Sequence, residues 1–203
     1  SLVDSLLGEQ RQITRYVEAI DHLSEAPALV SGESAASQAL LPPALQSGQQ
    51  LPLNQILMPL LERAAATANL QNRPWSTPTA LPTCLGDARA IAEIVANLLE
   101  NAFRYSRSGG AIGLHTQLGS QLDLTIWDSG PAIPAEERAS IFEKGVRGSS
   151  GAQLEGSGLG LALARDLARS LGGELELLVP ASAVDPALPP EGNAFRLRLP
   201  ATD

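Results

Sequence analysis

Four short segments carry residue types that could do chemistry together. Asn97-Leu-Leu-Glu-Asn101-Ala-Phe-Arg104-Tyr105 sets two carboxamides and a guanidinium at i, i+4 and i+7, one face of a helix. Such a stripe is odd on a solvated surface and could hold a hydrated cation and a phosphate chain. Asp128-Ser-Gly130-Pro-Ala132-Ile133-Pro134 follows an apolar strand. An acid at a strand end can accept from an exocyclic amine while glycine lets the backbone pass close by. Lys144 and Arg147 add cationic donors, and Lys144 is the only lysine in the chain. Gly156-Ser157-Gly158-Leu159-Gly160-Leu161 opens a helix, where unpaired amides bind anions and glycines let a phosphate approach them.

Taken singly, each segment also fits a plainer role. Asn101 could cap a helix end. Asp-Ser-Gly is an ordinary turn, and a lysine and an arginine beside a loop are usually solvated. The glycine segment is not a Walker A loop, because no Gly-Lys-Ser/Thr follows, and no strand leads into it as a Rossmann turn requires. Their order along the chain is more specific than any one of them.

Local elements must position these residues. Asp87 stands where a helix N-cap belongs, ahead of Ile91, Ile94, Leu98 and Leu99. The spacing of Leu53, Ile56, Leu57, Leu60 and Leu61 predicts an earlier helix through about Asn69. Between them, residues 73–85 hold three prolines and belong at a sheet edge or in loops. Residues 111–117 and 121–127 read as a hairpin turning at Gly119-Ser120, with Leu122, Leu124 and Ile126 alternating against Asp123 and Thr125. A glycine- and serine-rich loop, 145–156, precedes a helix over 159–171 that Gly172-Gly173 should stop. Two last strands, 174–179 and 194–199, flank a Pro/Ala insertion from Pro180 to Gly192. Helices grouped against hairpins predict an α+β class, a two-layer sandwich whose mixed, mostly antiparallel sheet is covered by helices on one face.

Upstream, residues 1–25 read as one helix with an apolar seam: Leu6, Ile13 and Ile20 repeat every seven positions, and Leu2, Tyr16 and Leu23 form a second row interrupted by Glu9. So short a helix needs a partner, in a hairpin or a dimeric bundle, or packs on its own domain. Residues 26–50 are rich in Ala, Ser, Pro and Gln and read as a linker or mobile loop. The compact domain is expected over 51–203.

A net charge of −8 over 203 residues disfavours nucleic-acid binding through phosphate neutralisation. A polyanionic small ligand would need a local cluster of donors. No apolar run approaches the roughly 20 residues that cross a bilayer, and the first residues lack the zones of a secretory signal. The lone cysteine, Cys84, excludes an internal disulfide and a cysteine zinc site and fits a reducing compartment. The two histidines, His22 and His115, have no carboxylate-rich neighbours in sequence and predict no metal site.

Taken in order over roughly residues 90 to 170, the four segments resemble the N, G1, F and G2 boxes of sensor histidine kinases, members of the ATP-binding superfamily shared with gyrase, Hsp90 and MutL. The resemblance implies a Bergerat-type ATP-binding fold, with residues 1–25 as the second helix of a dimerisation hairpin. It implies ATP and Mg2+ as cofactors, with Asn101 on the metal and Asn97 beside it near the phosphates. Arg104 would contact phosphate, Tyr105 would lie against adenine, and Asp128 would accept from the adenine amino group, with Gly130 and Ile133 shaping that pocket. Lys144 and Arg147 would engage the γ-phosphate, residues 145–156 would form the lid, and Gly156, Ser157, Gly158, Leu159, Gly160 and Leu161 would bring backbone amides to the phosphates. It further implies a cytoplasmic location for this portion, a homodimeric parent, a response regulator, and a phosphoacceptor helix outside this chain.

Two departures matter. Ala132 replaces the second glycine of the usual DxGxG, which narrows the purine pocket slightly. No histidine followed by an acid occurs upstream, and His22, with leucine after it, reads as a solvated or packing residue. In the ATP-hydrolysing members and in serine kinases that control sigma factors, a base-acting Glu sits where this chain has Asn97. An amide cannot act as a general base, whereas transfer to an imidazole rests mostly on positioning and electrostatics. Histidine kinase chemistry is therefore the first expectation. The alternatives are an anti-sigma-type serine kinase, or a degenerate nucleotide-binding interaction module.

Overall fold

The computed structural model describes residues 48–146 and 159–201. The expected helix over 1–25, nearly all of the linker over 26–50, and Arg147, Gly156, Ser157 and Gly158 lie outside the described residues. In chain order the described elements begin with β1 (Gln50–Pro52), α1 (Leu53–Leu70), β2 (Trp75–Ser76), β3 (Leu85–Asp87) and α2 (Ala88–Tyr105). They continue with β4 (Ile112–Leu118), β5 (Gln121–Asp128), α3 (Gly160–Ser170), β6 (Glu174–Leu178) and β7 (Asn193–Pro200), with 3-10 turns at Ser140–Phe142 and Ala181–Ala183.

The helices form where the apolar spacing and caps put them. On α1, Leu53, Ile56, Leu57, Leu60, Leu61, Ala64 and Ala68 are buried at steps of three and four. The backbone amide of Leu53 donates to the Cys84 carbonyl at 2.9 Å, which supplies one helix-start amide with a partner. The Asp87 carboxylate accepts from the Ala90 amide at 2.8 Å and caps α2 as expected. Helix α3 stops at Gly172, whose φ of 75° is the left-handed conformation that glycine adopts freely. The amides of Gly172 and Gly173 return to the carbonyls of Arg169 and Ala168 at 3.0 and 2.9 Å.

Five strands form one sheet in the order β2-β4-β5-β7-β6, antiparallel throughout except for the parallel β2–β4 pair at the edge. Strand β2 is the two-residue remnant of the proline-rich stretch, short because its flanking prolines cannot donate to a ladder. Ile112 and Leu114, Leu122, Leu124 and Ile126, Phe195, Leu197 and Leu199, and Leu175 all face the helices and are buried. Each such side chain stabilises the fold by about 1.5–3 kcal/mol, and a one-residue slip would turn a whole row to the other face. The α+β class, the mixed sheet and the helical layer on one face agree with the sequence reading. The compact domain begins slightly earlier than Leu51, because Gln50 pairs with Asp87 in a small antiparallel β1–β3 ladder.

The opposite face of the sheet is not bare. Residues 180–192 fold back over the end of β5, held by the Ala181 amide on the Glu191 carbonyl at 3.3 Å and the Ser182 amide on the Pro189 carbonyl at 2.9 Å. Ala181, Val184 and Leu188 pack there with Trp127, Ala194 and Leu178. The Trp127 indole lies over Gly113, where a Cβ would stand 2.5 Å from its Cζ2, so β4 needs glycine at that point. His115 Nε2 lies 3.2 Å from Asp185 Oδ2, tying β4 to the insertion.

Candidate active site

Helix α2 carries Asn97, Asn101 and Arg104 along one face, and its hydrogen-bonded turns run on to Tyr105, so Asn101 lies inside the helix rather than capping it. Asn97 is buried, and its Nδ2 finds no partner among the described residues. A buried amide donor left unpaired costs about 1–3 kcal/mol. It is a group set for an acceptor that the described residues do not supply. Asn101 and Tyr105 are half-buried. Arg104 pairs with Glu100 one turn back at 2.7 Å through Nη2 and is half-exposed.

Asp128 ends β5 at the middle of the sheet, in register with Ile112 of β4 and Asn193 of β7. Its carboxylate is buried. Oδ1 accepts from the Gly130 amide at 2.7 Å and from Asn193 Nδ2 at 3.4 Å, leaving Oδ2 outside that pair of bonds. Burial pushes the Asp128 pKa up to about 6, against the opposing pull of the Gly130 amide, Asn193 and the Arg73 guanidinium. A buried acid with one oxygen fixed and the other available can accept from a ligand amine.

The loop after Asp128 is held from outside the sequence motif. Asn193 donates to the Pro131 carbonyl at 2.8 Å and accepts from the Ile133 amide at 2.8 Å, so one carboxamide braces three points of the turn. Arg138 Nε donates to the Ile133 carbonyl at 3.0 Å, and the Ile133 side chain packs against the core. A Cβ on Gly130 would stand 2.7 Å from Asp128 Oδ1 and 3.0 Å from the Ser106 Cα, so only glycine lets this loop abut the end of α2. Gly192 makes the same demand from the insertion: φ is 84° and a Cβ would stand 1.8 Å from the Asp128 carbonyl oxygen. Ala132 is exposed and lacks a positive φ, so it imposes no backbone strain here.

Lys144 lies exposed just beyond the Ser140–Phe142 turn. That turn is anchored by buried Ile141 and by Phe142, which meets Phe195 edge-on at 6.2 Å and lies under the Arg165 guanidinium at 4.9 Å. Leu159 precedes α3 and Gly160 opens it, with Leu161 packed against the core. The structure thus joins Asp128, Gly130 and Ile133 in one braced loop beside the end of α2. Asn193, Gly192, Arg138 and Arg73 support that arrangement and were missed in the sequence. Asn193 stands just before a predicted strand and Arg73 beside Pro74, whereas Arg138 and Gly192 carry no such signal.

The residues fit a nucleotide with a hard divalent ion. Among the described residues no three His, Cys, Asp or Glu side chains group as a metal cage. Mg2+ needs none, since it keeps several waters and takes one or two protein oxygens plus phosphates. Asn101 offers one such oxygen, and the orphaned Asn97 amide is a donor suited to phosphate.

Residues 86–203 match the family described as "Histidine kinase-, DNA gyrase B-, and HSP90-like ATPase". Sensor histidine kinase Hik2 of Thermosynechococcus vestitus is 40% identical over 158 residues, which are 76% of this chain and 40% of that protein. The signal transduction histidine-protein kinase/phosphatase MprB of Mycolicibacterium vanbaalenii is 38% identical over 117 residues, 57% of this chain and 23% of that protein. The match therefore spans 40% and 23% of the lengths of these two curated relatives. Among solved structures, a mycobacterial sensor histidine kinase MprB superposes with a TM-score of 0.63 at 30% identity, over 76% of this chain and 99% of that one. The catalytic domain of histidine kinase ThkA shares the fold, with a TM-score of 0.62 at 21% identity over 76% of this chain and 98% of that one.

Proposed function

The chain belongs to the histidine kinase-, DNA gyrase B- and HSP90-like ATPase family as a catalytic ATP-binding domain of the sensor histidine kinase type, and we propose that it transfers the γ-phosphoryl group of Mg2+-bound ATP to a histidine on a helix outside this chain. The observation that supports the reading is the buried Asp128 carboxylate, with Oδ1 fixed by Gly130 and Asn193 and Oδ2 outside those bonds. In this reading Oδ2 accepts from the adenine amino group, Gly130 and Ile133 line the ring, and Tyr105 lies against it. Asn97 donates to phosphate oxygens. Arg104 exchanges Glu100 for phosphate. Asn101 holds Mg2+, which when bound neutralises charge on the phosphates.

Lys144 and Arg147 bear on the γ-phosphate, and the amides from Gly156 through Ser157, Gly158, Leu159, Gly160 and Leu161 cradle the chain of phosphates at the start of α3. The imidazole lone pair forms the new P–N bond as the bond from γ-phosphorus to the bridging oxygen breaks, and ADP leaves with that electron pair. A neutral imidazole brings its own lone pair, whereas water or a serine hydroxyl would need a base. Asn97, an amide, cannot provide one. The phosphohistidine would then serve a response regulator, and the parent would act as a homodimer. No helix among the described residues is long and apolar enough to cross a membrane.

The test supplies Mg2+-ATP labelled at the γ-position together with a helical segment bearing the parent's phosphoacceptor histidine. Acid-labile label on that histidine supports the reading. Saturable nucleotide binding without transfer would leave a binding module, and no nucleotide binding would remove the site itself.

A further inference from the structure

Arg73 stands outside every motif read from the sequence, yet it is among the most fully engaged side chains of the domain. It is 7% exposed, in the segment between α1 and β2. Its Nε donates to the Gly110 carbonyl at 3.0 Å, Nη1 to the Phe103 carbonyl and to Gln71 Oε1, each at 3.3 Å, and Nη2 to the Arg107 carbonyl at 2.9 Å and to Ser106 Oγ. The guanidinium also lies over the Phe103 ring, 5.7 Å from its centroid, and Phe103 stacks on Trp75 of β2 at 6.4 Å. One side chain therefore fastens the last turn of α2 and the following turn to the edge of the sheet.

Those fastened atoms are the ones the base pocket leans on. Ser106 is the residue against which Gly130 packs, and the Ala111 amide and carbonyl bond Ser129 Oγ and the Ser129 amide at 2.9 and 3.0 Å. We propose that Arg73 is a positioning residue for base recognition: its forked donors hold the end of α2 and the following turn, against which the Gly130 loop beside Asp128 packs. The proposal rests on the reading of Asp128 as the adenine acceptor. Lysine could not do this, since one ammonium cannot span five acceptors set around a planar fork.

The charge arrangement singles Arg73 out. The register partners of Asp128 on β4 and β7 are Ile112 and Asn193, neither ionisable. Arg107, in the turn after α2, donates to the Ser129 carbonyl at 3.4 Å, but it is exposed and shared with exposed Glu191 at 3.2 Å. Arg73 is the cation whose attraction opposes the burial of Asp128, and Asp128 in turn opposes the lowering that burial imposes on Arg73.

The experiment uses the full chain with Arg73→Met and Arg73→Lys. The Asp128 carboxyl is followed by carbon-13 NMR against pH without nucleotide, and ADP affinity is measured in EDTA from pH 5 to 8. Arg73→Met should raise the Asp128 midpoint by about half a unit or more and weaken ADP most near neutral pH. Arg73→Lys should leave the midpoint near wild type while ADP affinity still drops severalfold, because charge remains and the fork is lost. A residue that merely braces the fold would lower the melting temperature of both variants and leave the Asp128 titration where it was; that result overturns the proposal. Wild-type ADP affinity in Arg73→Lys overturns it as well, and keeps it testable should Arg73→Met not fold. If wild-type protein binds no ADP, the adenine reading falls, while the carboxyl titration still decides whether Arg73 governs Asp128.

Discussion

Replacing Asp128 by Asn separates what the acid does for the ligand from what it does to the fold. Asn keeps the shape and an Oδ1 that can accept from the Gly130 amide and Asn193, so the loop should hold. It removes a buried charge. The Asp128 pKa rises from its ordinary 3.8 to about 6 in the folded protein. An acid with a raised folded pKa binds its proton more tightly when folded, so it costs stability at pH values where it ionises. The cost is absent below about pH 4, grows between about 4 and 6, and is complete above. At 1.36 kcal/mol per unit, a shift of about two units amounts to about 3 kcal/mol at pH 8, net of the Arg73 attraction that Asn also gives up. Asp128→Asn should therefore melt several degrees higher than wild type at pH 8, and the difference should shrink toward zero near pH 4. Its Nδ2 would meet the adenine amino group donor to donor, and loss of a charge-assisted hydrogen bond of about 1.5–3 kcal/mol lowers nucleotide affinity by about 10- to 100-fold. Calorimetric melting across pH and ADP titration at pH 8 read both effects. A stability difference independent of pH, or undiminished ADP affinity, would show that Asp128 is neither strained by burial nor the base acceptor.

Asn101→Ala should abolish the Mg2+-dependent part of ATP affinity while leaving the metal-free ADP affinity within a few-fold of wild type, as isothermal titration with and without EDTA would show. Gly130→Ala brings a Cβ to 2.7 Å from Asp128 Oδ1 and 3.0 Å from the Ser106 Cα, so chemical denaturation should show a loss of about 1–3 kcal/mol together with weaker nucleotide binding. Asn97→Leu removes a buried, unpartnered amide and should stabilise the nucleotide-free domain by about 1–3 kcal/mol. In the same variant phosphoryl transfer should be lost, and a destabilised Asn97→Leu would mean that the amide has a protein partner after all.

What could be read from the sequence was local. The Asp87 cap, the buried row on α2 and the Gly172 stop each depend on residues within one or two turns and appear as expected, whereas β5 keeps its alternate facing but buries Thr125 and Trp127 on the second face too, so it is not half-buried. Asp128 could be singled out because it ends an apolar strand beside a glycine. Its partners could not, because Asn193 reaches it through the β5–β7 register across 65 residues, and Arg73 meets Gly110 across 37. Neither separation leaves a periodic trace. The covered outer face did leave one: Trp127 falls in the Asp123–Thr125 row of β5, which an open sheet would keep polar, and the Pro/Ala insertion carries the Val184 and Leu188 that answer it. Arg147, Gly156, Ser157 and Gly158 lie outside the described residues, so the phosphate end of the site rests on the motif and the base end on geometry.

The two ends share one physical feature. Asn97 presents a buried donor without an acceptor among the described residues, and Asp128 a buried acceptor whose ionised form the fold disfavours. A hydrophobic pair in those positions would make the empty domain more stable, so their presence opposes folding stability unless something outside the domain completes them. In the proposed reading, an adenine nucleotide would bring phosphate oxygens to the first and an amine to the second. Binding then relieves both penalties together, and the stabilisation it confers should exceed what either group gives alone. In that reading the domain is weakest where its ligand would be strongest, and the same groups that lower its stability when empty would set a preference for a molecule with a polyanionic tail and an aminopurine head.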